Sequence, residues 1–181
     1  MRRVAIVVGL AGASALGIGL AASHTTAESR DPCGFDFPVG PPDGTGYYDA
    51  QAFGVNDHLG NDWNGLAGGD SDLGFPVFAV ADGQVLDATD HQGGWGNVVR
   101  IEHTCGARVE SLYAHLDRMY VVTGTSVHRG QLIGTIGTAG GQYPAHLHFE
   151  LRDRAMPIGA GYSTDRRGFL DPTAYIRSHR P

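Results

Sequence analysis

Six apolar runs of strand length follow one another in the second half of the chain, at 76–80, 84–89, 97–104, 107–116, 131–136 and 146–152. Turn signals separate them, and short runs punctuated this way fold as antiparallel strands rather than helices. The 28 Gly and 9 Pro residues are scattered between the runs instead of forming one tract, which indicates many turns and not disorder. Asp82-Gly83 lies between the first two runs and suits a type I′ hairpin, and Cys105-Gly106 turns a later pair, so a meander is expected. Only 171–176 reads as helical, with Asp171 as the cap and Pro172 at the first position. The expected class is all-β, or β-rich, with a short C-terminal helix.

A length of 181 residues with 41% apolar content supports one folded unit with a real core. Met1-Arg2-Arg3 followed by an uncharged stretch at 4–20 has the layout of a secretory signal, with small residues at 21–23 for cleavage. That stretch also reaches the lower limit of about 17 residues for a membrane span, so an uncleaved anchor is the rival reading. Cleavage places the protein in a secreted or periplasmic setting and takes the formal charge from -6 to -8, because Arg2 and Arg3 leave with the segment. An acidic surface argues against a nucleic-acid partner and against electrostatic adhesion to an anionic wall or membrane. In an oxidising compartment Cys33 and Cys105 can pair, closing a loop worth about 4 kcal/mol in the chain-entropy picture. The alternative is two buried thiols. Residues 31–54 are rich in Pro, Gly and aromatic groups without periodicity, and read as an ordered leader wrapping the core.

Four of the 9 histidines, with one aspartate, stand where they can converge. In an extended strand His146 and His148 point to one face, about 7 Å apart, while Leu147 and Phe149 point to the other. His58 and Asp62 would lie about 13 Å apart in an extended segment, so sharing an ion requires a bend, which Gly60 permits. Two imidazoles and a carboxylate make a mixed nitrogen and oxygen set suited to a catalytic zinc with an open position for water. His115 ends the run 109–115, with Tyr113 two residues earlier on the same face; the histidine could hold a proton near the site and the tyrosine donate a hydrogen bond.

His-x-Gly-x-Asp at 58–62, Tyr-Ala-His-Leu at 113–116, Gly-Gln-Leu-Ile-Gly at 130–134 and His-Leu-His-Phe-Glu at 146–150 resemble, in order and spacing, the lysostaphin/LytM-type metallopeptidases of family M23. The resemblance covers about residues 53–152. It implies an antiparallel, sandwich-like β-fold with a substrate groove, Zn²⁺ held by His58, Asp62 and His148, and His115 and His146 flanking the substrate carbonyl and the attacking water. It also implies hydrolysis of short peptides in bacterial peptidoglycan. Together with the N-terminal readings above, it gives an expected division into a signal at 1–23, a leader at 24–52, a peptidase core at 53–152 and a C-terminal extension at 153–181. The chain departs from the family pattern at 139–145, where Ala-Gly-Gly-Gln-Tyr-Pro-Ala stands in place of a Ser-Thr-Gly-Pro type loop. Substrate preference is the inference that this departure weakens.

Other residues have blander readings. No His-Glu-x-x-His helix is present, so a thermolysin-like general-base glutamate is absent, and Glu150 is read as structural. His103 reads as a hairpin residue, and His24, His91, His128 and His179 as exposed. Asp70-Ser71-Asp72 lacks the spacing of a calcium loop and reads as a solvated turn. Trp63, Trp95 and Tyr143 are candidates to line a groove, with packing as the plainer role. Three functional rivals remain in view: a non-catalytic protein of this fold that binds the wall or activates a hydrolase, a secreted peptidase for Gly-rich proteins, and a lipoyl-type carrier. The carrier fails because the chain contains no Lys.

Overall fold

The computed structural model describes residues 33–104 and 106–181. The signal reading at 1–23, the start of the leader, and Cys105 lie outside the described residues. Among the described residues there is no free cysteine, and no helix is long and apolar enough to cross a membrane.

Among the described residues eleven strands pair antiparallel: β1 (Tyr47–Gln51), β2 (Asn61–Gly65), β3 (Pro76–Phe78), β4 (Gly83–Asp90), β5 (Asn97–His103), β6 (Val109–Leu116), β7 (Arg118–Met119), β8 (Ser126–Val127), β9 (Leu132–Thr135), β10 (Leu147–Arg152) and β11 (Phe169–Leu170). One sheet has the order β1-β2-β10-β6-β5-β4-β8, with β11 added against β10; the other has the order β3-β9-β7. A single apolar cluster joins them, with Val99, Tyr113, Leu147 and Phe149 from the large sheet meeting Val77 and Ile133 from the small one. All six runs read from the sequence are strands. Helix α1 (Pro172–Ser178) begins as expected, with the Asp171 carboxylate accepting from the Ala174 N–H at 3.1 Å.

Two expectations about connectivity are corrected. β3 and β4 do not form a hairpin at Asp82-Gly83, because they belong to different sheets. The intervening Ala79, Val80 and Ala81 are buried and carry the chain through the core from one sheet to the other. Gly83 is needed for space: a Cβ there would lie 2.5 Å from the Glu102 carbonyl oxygen. The meander holds only for β4-β5-β6, since β10 inserts between β2 and β6.

The leader contributes a strand that aperiodic reading missed, because Tyr-Tyr-Asp-Ala-Gln alternates only between half-buried and exposed positions on a sheet edge. Before it, Phe35, Phe37 and Val39 enter the core.

The large sheet is buried on both faces where it matters for function. Along β10, Leu147, Phe149 and Leu151 face the small sheet, and His148, Glu150 and Arg152 face away, yet all six are buried. The cover on the outer face is the segment 153–162. The Met156 carbonyl accepts from Arg100 at 2.7 Å, and Ile158 packs on Val98, Leu112 and Ala114.

Candidate metal centre

Sheet register builds the centre. Asp62 on β2 stands directly opposite His148 on β10, which in turn stands opposite Ala114 on β6, one residue before His115. Side chains opposite one another in such a ladder are close enough to share a ligand. His58 arrives from a tight turn in which Gly54, Asn56 and Asp57 have φ of 82°, 52° and 63°. The left-handed residues before His58 supply the bend. Gly60 serves differently from expectation, since its φ is not positive; a Cβ there would sit 2.4 Å from the Phe149 carbonyl oxygen.

Three donor atoms converge. His148 Nδ1 lies 2.9 Å from Asp62 Oδ1 and 3.0 Å from His58 Nε2, and His58 Nε2 lies 3.3 Å from Asp62 Oδ1. Each imidazole is anchored by its other nitrogen, His58 Nδ1 at 2.9 Å from the Gln51 carbonyl and His148 Nε2 at 3.0 Å from Glu150 Oε1. A carbonyl and a carboxylate only accept, so each outer nitrogen carries the proton. In the neutral tautomers the inner nitrogens then present lone pairs to one another and to a carboxylate oxygen, an arrangement that calls for a cation. Zinc fits this set in donor chemistry and number, and among the described residues this is the group whose His, Cys, Asp and Glu donor atoms gather for a metal.

Electrostatics agree. Burial raises the Asp62 carboxyl pKa, but hydrogen bonds from His148 and His58 outweigh it and hold the group well below the usual carboxylate range. Burial lowers the His148 pKa, yet Asp62 and Glu150 on either side push it up to about 9. Without a metal the centre therefore keeps a proton there, and binding a dication releases it.

His115 and His146 flank the centre. Their ring centroids are 4.7 Å apart, that of His115 is 5.5 Å from the His148 ring, and His146 Nε2 is 3.8 Å from Asp62 Oδ1. The His146 Nδ1 faces the Pro144 carbonyl at 2.8 Å, and the His115 Nδ1 faces the Trp95 carbonyl at 3.4 Å. In both, Nε2 is the atom left with a lone pair. Burial, then the neighbouring His148 and His146, lower the His115 pKa to about 3, so it is neutral at pH 7. His115 also has φ of 62°, a left-handed conformation that is uncommon for a non-glycine residue and turns the end of β6.

Asp62, His115, His146 and His148 open into one cleft of about 400 Å³, walled by Trp95, Tyr143 and Tyr162, with His58 buried behind Asp62 and His148. Trp95 joins the cover segment through Nε1, 2.9 Å from the Gly159 carbonyl oxygen, and the Tyr162 ring lies tilted against His58 with centroids 5.3 Å apart. Tyr143 is in the cleft, as the sequence suggested. Tyr113 is not: it is fully buried on the core side, its hydroxyl 3.0 Å from the Val80 N–H and 3.1 Å from Ser111 Oγ. The positive φ at His115 breaks the two-residue alternation that placed both on one face. Trp63 also lies in the core, against Phe37.

Several plain readings are corrected too. Asp72 is no solvated residue; it is fully buried and accepts from the Gly65 N–H at 2.8 Å, while Asp70 accepts from the Ala145 N–H at 2.7 Å, just before His146. His103 is the hairpin residue expected, at the end of β5 opposite Val109, and is buried between the Asp82 carbonyl and Ser111 Oγ. His91, His128 and His179 are exposed as read. Tyr162 and the buried partner Glu150 were missed as parts of the site, Tyr162 because it comes from a segment without periodicity.

The fold and the centre define an antiparallel β-sheet domain with a His-Asp-His candidate metal site. The sequence profile of Peptidase family M23 matches residues 58–160, more than half of the chain, and the protein belongs to that family. Among curated proteins it is 42% identical over 85 residues to the DD-carboxypeptidase/endopeptidase Mpg of Neisseria meningitidis, covering 47% of this chain and 19% of that one. It is 38% identical over 96 residues to the murein hydrolase activator EnvC of Escherichia coli, covering 53% and 22%. The chain thus spans about a fifth of the length of these relatives. Among solved structures, lysostaphin of Staphylococcus simulans superposes with a TM-score of 0.57 at 26% identity, over 74% of this chain and 50% of that one.

Proposed function

We propose that the protein is an exported zinc endopeptidase that hydrolyses peptide bonds in the stem peptides or crosslinks of bacterial peptidoglycan. The observation that carries this reading is the convergence of His58, Asp62 and His148 at the floor of a cleft lined by Asp62, His148, His115 and His146. When bound by the three ligands, zinc supplies Lewis-acid polarisation of the scissile carbonyl and a water of lowered pKa. His146 and His115 do the proton work from Nε2: one accepts a proton as the nucleophile adds and returns it to the leaving amine. The imidazolium so formed is placed to stabilise the developing oxyanion. Trp95, Tyr143 and Tyr162 hold the peptide on either side of the centre and limit the entry of bulk water.

Export follows from reading 1–23 as a signal, with a disulfide between Cys33 and Cys105 fitting an oxidising compartment. Division into a leader, a core at 53–152 and an extension belongs to the same proposal, with the extension supplying the cleft wall. A hydrolase-activator role is the second reading, favoured by the similarity to EnvC. Retention of the three ligand residues together with both flanking histidines favours the enzyme.

Digestion of purified peptidoglycans of different crosslink chemistry, with the fragments identified by mass, tests the proposal. Cleavage by the wild type that is abolished by a chelator and by His148→Ala is expected. Uncut peptidoglycan of every type, with stimulation of a separate hydrolase, would establish the activator reading instead.

A further inference from the structure

We propose that Glu150 is a positioning residue of the metal centre, fixing His148 in the tautomer and orientation that turn Nδ1 toward Asp62 and His58. The proposal rests on the metal reading of the site. Glu150 is fully buried, and its two oxygens divide their work: Oε1 meets His148 Nε2 at 3.0 Å, and Oε2 meets Arg152 Nε at 2.8 Å and Nη2 at 2.6 Å. Arg152, itself 1% exposed, continues to Glu110 Oε1 at 3.3 Å, and Arg100 holds both Glu110 oxygens at 2.9 Å. A ladder of alternating charge thus runs under the cover segment from Arg100 to the metal ligand. Such buried pairs add little stability over an apolar replacement, so stability alone does not account for four charges on this face.

Tautomer control does account for them. A carboxylate offers only lone pairs, so the proton of His148 must sit on Nε2, and Nδ1 is left to bind a cation. Arg152, meeting Oε2 from Nε at 2.8 Å and from Nη2 at 2.6 Å, holds the Glu150 carboxylate pointed at the imidazole. In Glu150→Gln the amide oxygen turns to the charged Arg152, and the amide NH₂ faces His148 Nε2. That reverses the tautomer and puts the proton on Nδ1, where the metal must bind.

The test is zinc affinity of the full-length protein by competition with a chromophoric chelator, alongside the thermal transition of the metal-free form. Glu150→Gln is expected to raise the zinc Kd about 10- to 100-fold. Glu150→Gln/Arg152→Met removes both charges of a pair and so leaves no lone charge buried; it should fold where the single variant does not. Its Kd is expected to rise by at least about fivefold, since a neutral amide holds the imidazole less firmly than a carboxylate. Arg100→Met, at the far end of the ladder, is expected to lower stability and leave the Kd within about twofold of wild type. A folded Glu150 variant that binds zinc as tightly as wild type overturns the assignment, and so does an Arg100→Met variant whose Kd rises as much. A wild type that binds no zinc overturns both this inference and the proposed function, whereas a binding wild type with unaffected Glu150 variants removes only the role of Glu150.

Discussion

At the scale of single residues, what each histidine can do is set by what its second nitrogen touches. His115 is kept neutral by burial, with Nε2 free toward the cleft. His115→Ala should therefore lower kcat on peptidoglycan fragments about 10²- to 10⁴-fold while leaving the zinc content unchanged, measured together on one preparation. His103 illustrates a different consequence. Its burial lowers the pKa from 6.5 to about 4, so below pH 6.5 the unfolded chain takes up a proton that the folded chain refuses. Stability is full above pH 6.5 and falls as the pH drops toward 4, by about 3 kcal/mol in all. Urea unfolding in the presence of a chelator should show this slope in the wild type and a slope smaller by one proton in His103→Gln. The grouping of His58, Asp62 and His148 was legible because their motifs stand in family order. Glu150 was not, because a strand pattern says which face a residue occupies and not whether another segment covers that face.

Elements place these residues through close approaches that only particular side chains allow. Gly137 is the sharpest case: a Cβ there would lie 2.4 Å from both the His115 carbonyl oxygen and the Asp117 nitrogen, which are backbone atoms with little room to yield. Gly137→Ala is expected to cost about 1–3 kcal/mol by overpacking and to shift His115; urea unfolding and the kcat of the same variant check the two parts. Trp95 acts across elements, joining its loop to the cover segment at the Gly159 carbonyl. Trp95→Phe should cost about 1 kcal/mol of stability for the lost hydrogen bond and raise KM more than it lowers kcat, since the wall loosens while the histidines stay. The six strands built on apolar runs, β3, β4, β5, β6, β9 and β10, and the helix cap were readable from those runs and from turn chemistry. β7, β8 and β11 have two residues each, too few to carry a periodic signal, and β1 lacks an apolar face.

For the whole molecule, the decisive feature is the strand order, which puts β10 between β2 and β6 and so gathers residues from 58 to 148 at one place. No local pattern specifies that insertion. It follows from burying the apolar face of β10 at the centre of the sheet, and short-range turn signals suggested a simple meander instead. Because His58, Asp62 and His148 come from separate parts of the chain, the proposed metal binding would be coupled to folding: an ion bound only by the folded state adds stability that grows with its concentration over Kd. The central claim is that His58, Asp62 and His148 form a zinc centre. Elemental analysis of the purified protein, set beside His148→Ala, tests it most directly. The account predicts about one zinc per chain in the wild type and a clear loss in the variant; a folded wild type without stoichiometric zinc, even after incubation with the metal, would contradict it.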